Sequence, residues 1–208
     1  MSGKRRRLPP ADRREVILAA AATVFAEVGY DRAAMRAVAT AAGVTTPVLY
    51  DHFASKADLY AALVSAQADD LITRWEEVGT QVAGGGGSTE DVFRSTVDAI
   101  FAWIEANPTG WRMVFLDAPS DPAVAQAHRA RQERATAVLA EQFGRVAELR
   151  ISVPLERRRA DLLLAEAAKW TVNAIAAWWW DNRDLSRAQI VELTADLLWR
   201  GLAHITEE

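Results

Sequence analysis

Residues 43–53, with the sequence GVTTPVLYDHF, place small side chains at the start of a short helix-forming stretch. A threonine hydroxyl such as that of Thr46 can hydrogen-bond to several bases. Its methyl group, the ring of Pro47 and the side chain of Val48 can pack against thymine methyl groups. This combination predicts a surface that reads a few base edges in the major groove of DNA.

Polar aromatic groups follow directly and suit the sugar–phosphate backbone. Tyr50 can offer a hydroxyl, His52 an imidazole and Lys56 an ammonium to phosphate oxygens, which position a protein without reading sequence. The alternative is that these residues close a small helical core. That interpretation is preferred for Leu49 and Phe53, whereas Tyr50 and His52 are expected at the surface, because a core needs no polar pair there.

Three helices are predicted to position this surface. The first covers about residues 10–28, ends at Gly29 and is expected to bury one face, formed by Ile17, Ala21, Val24, Phe25 and Val28. A second runs from about residue 35 to 42, where Gly43 allows a tight turn. A third runs from about residue 45 to 53, with the side-chain oxygen of Thr45 as its expected cap and Pro47 in its first turn. The last two form a predicted helix-turn-helix.

The rest of the chain is also predicted to be helical, which gives an all-α fold of about nine helices. The glycine run at residues 84–87 is predicted to be a loop. Further helices are expected at about residues 89–106, 109–118, 122–148, 155–182 and 187–206. Ser186 and Gln189 form a capping box at the start of the last of these.

The composition excludes several classes of protein. The 208 residues contain no Cys, which excludes disulfides and thiolate chemistry, and neither a metal site nor a cofactor is predicted. No apolar run approaches the roughly 20 residues that span a bilayer, and no secretory apolar region follows the N-terminal basic residues. The protein is expected to act in the cytoplasm, in association with the nucleoid.

Charge is divided unevenly along the chain. Residues 1–60 hold nine Lys or Arg against six Asp or Glu, a balance of +3, whereas residues 61–208 hold fifteen against twenty-two, a balance of −7. This asymmetry predicts that the N-terminal part of the chain binds a polyanion. The predicted organisation is a disordered basic arm at 1–8, a helix-turn-helix DNA-binding domain at 9–56, and a ligand-binding and dimerisation domain at 57–208. The arm either contacts DNA or is a solvated tail, and both interpretations stay open.

The last two predicted helices are apolar nearly all round, so both of their sides must be covered. One side can face the protein's own core and the other a second copy, which favours a two-fold four-helix bundle over a wholly internal core. The residues predicted at this dimer interface are Leu163, Ile175, Ile190, Leu197, Leu198 and Leu202.

Eight tryptophans are many for this length, and most of them are expected to serve as packing. Some of them can also line a cavity for a large, lipophilic or aromatic ligand. The residues predicted to line that cavity are Trp103, Trp111, Phe115, Trp170, Asn173 and Trp178.

Residues 11–60 resemble the DNA-binding domain of the tetracycline-repressor (TetR) family of bacterial regulators. The matching residues are Phe25, Gly29-Tyr30, Met35-Arg36, Val38-Ala39, Ala42-Gly43-Val44, Leu49-Tyr50, His52-Phe53, Ser55-Lys56 and Leu59. The resemblance implies an all-helical fold, homodimerisation and release from DNA when a ligand binds. It also implies operator contacts from Arg36, Thr45, Thr46, Pro47, Val48, Tyr50, His52 and Lys56.

Two positions depart from the pattern of that family. The family often has Ser or Thr just before the second helix, where this chain has Ala33 and Ala34, so that a cap and a phosphate contact are missing. Asp51 puts a carboxylate beside the phosphates unless it points to solvent, pairs with Arg36 or accepts a hydrogen bond from cytosine.

An enzyme and a DNA-binding dimer without a small-molecule switch are the alternatives. No catalytic residue is predicted, because His52, His128 and His204 lie in separate helices and neither G-x-S-x-G nor H-E-x-x-H occurs. A dimer of the same fold can instead have an architectural or division-control role. A ligand-released repressor is the preferred hypothesis, because a basic helix-turn-helix is joined to an apolar-rich body.

Overall fold

The computed structural model describes residues 10–116, 121–144 and 153–206, which form helices joined by short turns. The helices are α1 (Pro10–Arg32), α2 (Met35–Ala41), α3 (Thr46–His52), α4 (Lys56–Gly84), α5 (Thr89–Ala106), α6 (Pro108–Phe115), α7 (Pro122–Gly144), α8 (Arg157–Asp181) and α9 (Arg187–Thr206). The predicted all-α fold is therefore confirmed over these ranges. The predicted basic arm at residues 1–8 lies outside them.

Helix α1 extends beyond its predicted end, but Gly29 interrupts it. Gly29 has φ 75° and ψ 164°, a region of backbone space that is essentially restricted to glycine. The chain turns there, so that Tyr30 enters the core and stacks on Phe25 with ring centroids 6.0 Å apart. Val28 is 36% exposed, and the prediction that it belongs to the buried face was wrong because the turn directs Tyr30 inward instead.

Side-chain caps fix the starts of helices in both halves of the chain. The Ser55 hydroxyl accepts the backbone N–H of Asp58 over 3.0 Å at the start of α4. At the start of α9, the N–H of Ser186 donates to Gln189 Oε1 over 2.9 Å and the N–H of Gln189 donates to the Ser186 hydroxyl over 3.3 Å. These two bonds confirm the predicted capping box.

Within the described residues, two large apolar cores follow one another, and a small cluster of Ala140, Ala165 and Ala168 lies between α7 and α8. The first large core joins α1, α2 and α3 to the beginning of α4. It continues through Met113, Val114 and Val124 into α6 and α7, which belong to the part of the molecule after α3 that we call the body. The second lies within the body and includes Phe101, Trp103, Trp111, Trp179 and Ile190. Helix α4 contributes to both cores, so it packs against α1–α3 at one end and against the later helices at the other.

Polar contacts hold the body helices to one another. Arg94 of α5 forms ion pairs with Asp196 and Glu192 of α9, at 2.6 and 3.0 Å. Lys169 of α8 is buried, and its ammonium donates to the hydroxyl of Thr136 on α7 over 2.7 Å. Within the described ranges, no helix combines the length and the apolar character that crossing a membrane requires.

Candidate nucleic-acid interface

The turn between α2 and α3 sets the direction in which α3 leaves the core. Gly43 has φ 65°, a conformation that glycine adopts without strain. Its N–H donates to the Thr40 carbonyl over 3.1 Å, and the N–H of Val44 donates to the Ala39 carbonyl over 3.0 Å. This pair of bonds is a Schellman motif, which ends α2 after Ala41.

Thr45 occupies the N-cap position of α3 with extended backbone, φ −82° and ψ 154°. Its side chain makes no capping hydrogen bond, so that part of the prediction was wrong. Pro47 stands in the first turn without an N–H, which removes one of the two usual donors to a cap. Thr45 is exposed at the start of α3.

Helix α3 separates its buried and accessible residues clearly. Leu49 and Phe53 are 0% and 4% exposed, which confirms their assignment to the core. Pro47 is exposed, and Thr46 and Val48 are half-buried beside it. The first turn of α3 therefore presents small polar and apolar groups at the surface, as base reading requires. Base contacts by these three residues stay a prediction.

The predicted phosphate-binding groups flank that first turn. Tyr50 is 49% exposed, His52 is half-buried and Arg36 is exposed on α2. Among the described residues, Arg36 and Asp51 form no ion pair with each other, and Asp51 is exposed. Ala34 at the N-cap of α2 makes no side-chain cap, in keeping with its methyl side chain. Contacts of Arg36, Tyr50 and His52 with phosphates stay predictions.

Lys56 has a different role from the one predicted. Its ammonium donates to the carbonyl oxygens of Tyr30, Asp31 and Ala33, over 2.8, 3.2 and 3.2 Å. It also lies 4.5 Å from the centre of the Tyr30 ring. An ammonium has three donors, so the prediction of a phosphate contact is corrected: Lys56 closes the connection from α1 to α2. Local sequence carries no signal for this role, because its partners lie 23 to 26 residues away.

Four of the six predicted ligand-lining residues lie inside the body. Trp111 of α6 donates its indole N–H to Oδ1 of Asn173 on α8 over 2.8 Å, and both side chains are buried. Trp103 donates to Oδ2 of Asp70 over 2.7 Å. Phe115 is half-buried and packs against both apolar cores. The Trp103 bond joins α5 to α4, and the Trp111 bond joins α6 to α8, so both bonds join helices within the body.

The other two, Trp170 and Trp178, lie on the outer surface of α8, where they are 45% and 53% exposed. The prediction that they line an internal cavity was wrong, because this side of α8 faces away from the body core. The indole N–H of Trp170 donates to Glu166 Oε1 over 2.6 Å. Burial acts to raise the pKa of Glu166, but hydrogen bonds from Thr136, Lys169 and Trp170 hold that pKa below its usual range.

An exposed apolar stripe runs along the outside of α8 and α9. We define it by Leu163, Ala167, Trp170, Ala174 and Trp178 of α8 and by Leu193 and Leu197 of α9. The α8 members recur every three or four residues, which places them on one side of the helix. Leu163 and Leu197 were predicted here, and the same spacing is the signal that would have found Leu193.

The remaining predicted interface residues do not belong to this stripe. Ile190 is 1% exposed and lies in the body core, so its assignment was wrong: its side of α9 packs inward. Ile175 and Leu198 are half-buried and pack against the same core. The prediction for Leu202 falls on a side chain outside those that the structure describes.

A groove of about 790 Å³ lies between α5 and the turn from α8 to α9. Its lining residues are Asp98, Glu105, Trp179, Arg183, Leu185, Ser186, Arg187, Ala188, Val191 and Glu192. Its charged groups pair with one another, with Arg187 at 3.1 Å from Asp98 and Arg183 at 2.8 Å from Glu105. None of the predicted ligand-lining residues borders this groove.

Comparison with known proteins gives matches along nearly the whole chain. The profile of "Bacterial regulatory proteins, tetR family" matches residues 17–63, and that of "Tetracyclin repressor-like, C-terminal domain" matches residues 83–208. The chain is 32% identical over 206 residues to the HTH-type transcriptional activator FasR of Mycolicibacterium smegmatis, covering 98% of this chain and 90% of FasR. It is 36% identical over 99 residues to the HTH-type transcriptional repressor KstR2 of Rhodococcus jostii, covering 44% of this chain and 45% of KstR2.

Solved structures share the fold at lower identity. The fatty acid degradation regulator FadR of Bacillus halodurans superimposes with a TM-score of 0.74 at 19% identity, covering 95% of this chain and 98% of FadR. FadR of Bacillus subtilis, solved in complex with stearoyl-CoA, gives a TM-score of 0.69 at 20% identity, covering 92% and 98%. With both family profiles matched and a relative aligned over nearly its full length, the chain belongs to the TetR family of bacterial transcriptional regulators.

Proposed function

We propose that the protein is a homodimeric, sequence-specific DNA-binding regulator whose affinity for its operator is controlled by a lipophilic effector. One combination of features carries the proposal: α3 presents an accessible first turn after the Schellman motif, and α8 and α9 carry an exposed apolar stripe. The first feature suits the major groove, and the second suits a second copy of the chain.

For DNA binding, we propose that Thr45, Thr46, Pro47 and Val48 meet base edges. Arg36, Tyr50 and His52 would contact phosphates on either side. Lys56 is left out of this set, because its ammonium is committed to backbone carbonyls. Lys56 instead supports DNA binding by holding the connection between α1 and α2 in place.

Two substitutions separate these roles. Thr46→Ala is expected to change which bases are preferred at one or two positions, because it removes a hydroxyl at the base edges. Arg36→Met is expected to weaken all sites alike and to lower the slope of log K against log salt concentration by about 1. Sequence selection from a random DNA library and a salt titration by fluorescence anisotropy measure the two effects. A Thr46→Ala protein with unchanged base preferences would refute the assignment of Thr46.

For dimerisation, we propose that the apolar stripe is covered by the same stripe of a second copy. Seven exposed apolar residues recur along two neighbouring helices, whereas the exposed apolar residues of a soluble monomer are ordinarily scattered singly. The alternation of Leu163 and Trp170 with Ala167 and Ala174 leaves gaps into which large side chains of a partner fit. A two-fold axis through this stripe gives a four-helix bundle.

For the effector, we propose a molecule with a fatty acyl chain that enters the interior between α4, α6 and α8. Two buried polar atoms of the described body, Trp75 Nε1 and Gln132 Oε1, have no hydrogen-bond partner. Such atoms are costly and call for an explanation, and a polar group of a bound effector would supply one. The FadR structure that contains stearoyl-CoA has the same fold, which makes long-chain acyl-CoA the first probe.

The effector proposal is tested by operator binding with and without stearoyl-CoA. We expect operator affinity to fall at least about fivefold, the lower end of ordinary allosteric coupling. Free coenzyme A and stearate, each alone, distinguish recognition of the headgroup from recognition of the chain. An operator affinity that stays constant with acyl-CoA and with a broad panel of lipophilic compounds would instead favour a DNA-binding dimer without a switch.

A further inference from the structure

A side-chain hydrogen bond joins the DNA-binding domain to the body across 91 positions of sequence. The hydroxyl of Tyr30 donates to Oδ2 of Asp121 over 2.8 Å. Asp121 stands at the start of α7, where its carbonyl accepts the N–H of Ala125 over 2.9 Å. The bond therefore ties the end of α1 to the first turn of a body helix.

The tyrosine side of this bond is held rigidly. Tyr30 is 9% exposed, and its ring packs edge to face against Tyr60 with centroids 5.0 Å apart. Phe25 stacks on it, and Lys56 binds both its ring and its carbonyl. Because the ring is held by these neighbours, a displacement of Asp121 must either break the hydrogen bond or move the DNA-binding core as a unit.

The hydroxyl of Tyr30 keeps its proton and can serve as the donor of this bond. Burial, the hydrogen bond to Asp121 and nearby acidic charge all raise the pKa of Tyr30. The phenol therefore remains a neutral donor throughout the physiological pH range. A hydroxyl that donates to a carboxylate generally forms a stronger bond than one that donates to a neutral acceptor.

The aspartate side leads into the body. Helix α7 contacts the last turn of α6 through two side chains. The Gln132 amide donates to the Val114 carbonyl over 2.6 Å, and Nε2 of His128 lies 3.2 Å from the Met113 carbonyl. Helix α6 also carries Trp111, one wall of the interior proposed for the effector. A change at α6 therefore reaches the start of α7 through direct contacts.

We infer that Tyr30 and Asp121 are positioning residues that fix each DNA-binding domain relative to its body, and thereby the separation of the two DNA-binding domains in the dimer. This inference rests on the proposed DNA-binding dimer. Neither residue is expected to touch DNA. Their hydrogen bond determines the position of α3 relative to the body when the protein binds DNA.

The absence of Cys from the sequence allows a direct measurement. Ala41→Cys introduces a unique, exposed thiol at the end of α2, and a spin label there reports the distance between the two DNA-binding domains of a dimer by pulsed electron resonance. In this background, Tyr30→Phe removes the hydroxyl and keeps the ring. We expect a broader distance distribution without DNA, and an operator affinity reduced about tenfold, as the loss of a charge-assisted bond predicts.

Variants at Asp121 test the same bond from the other side. Asp121→Ala is expected to broaden the distribution as Tyr30→Phe does, and Asp121→Asn, which keeps an oxygen acceptor, is expected to preserve the narrow one. In the Asp121→Ala background, Tyr30→Phe should not broaden the distance distribution any further. This double variant separates the bond from the other interactions of Asp121.

The outcomes distinguish this inference from the function on which it rests. A dimer whose distances stay narrow in both Tyr30→Phe and Asp121→Ala would overturn the positioning role and leave the dimer intact. A labelled parent protein without any dipolar signal would instead contradict the dimer itself. Thermal unfolding followed by circular dichroism confirms that each variant is folded before its distances are compared.

Discussion

Replacing Leu163 with Glu is expected to separate the dimer into monomers and to weaken operator binding at least about a hundredfold, because simultaneous engagement of two half-sites is lost. Leu163 is 59% exposed, so the substitution costs little within one chain. In the dimer, it would bury a carboxylate among the apolar side chains of the stripe, and the carboxylate would lose hydration there. Light scattering after size-exclusion chromatography measures the mass, and fluorescence anisotropy measures operator affinity.

Ala137→Glu is the matched control for Leu163→Glu. Ala137 is exposed on α7, outside the apolar stripe, and the new carboxylate there would face solvent. We expect this variant to keep the mass and the operator affinity of the parent. A Leu163→Glu protein that remains a dimer with parental affinity would show that the stripe is not the interface.

Replacing Lys56 with Met is expected to lower the free energy of unfolding by about 3 kcal/mol, because a charged donor is lost from three carbonyls that pack against it. The three carbonyls belong to Tyr30, Asp31 and Ala33, at the connection between α1 and α2. Met keeps the length and apolar stem of the side chain, so the loss comes from the ammonium. Urea unfolding followed by circular dichroism measures the change.

The salt dependence of DNA binding separates this structural role from a phosphate contact. If Lys56 holds carbonyls, the salt slope of the Lys56→Met protein stays parental under conditions where the protein is folded. Arg36→Met is the comparison: it should change stability by less than about 0.5 kcal/mol and lower the salt slope by about 1. A Lys56→Met protein with parental stability and a reduced salt slope would instead show that Lys56 contacts phosphate.

The local features of the fold were predictable because their causes are local. Gly43, Pro47 and the pair Ser186 and Gln189 act on their own helix ends, where the preferences of single residues decide the backbone. The predicted starts of α5, α7 and α9 agree with the structure for the same reason. The accessible residues of α3 followed from its position after the turn.

The contacts that sequence could not predict join residues far apart in the chain. The residue types of Lys56 and Tyr30 suit phosphate contact and core packing, respectively. Their actual partners depend on how α1 packs against α4 and on where Asp121 lies before α7. Trp170 and Trp178 illustrate a different difficulty. Two sides of α8 are apolar, and residue type alone does not tell which side faces inward.

The central claim is that two copies of the chain hold their α3 helices at a fixed separation and thereby read two related half-sites. Selection of binding sequences from a random DNA library tests this most directly. The claim predicts an enriched inverted repeat whose half-sites lie about one helical turn, or a whole multiple of it, apart, and predicts loss of the second half-site in Leu163→Glu. Enrichment of a single asymmetric site, or of no sequence, would contradict it.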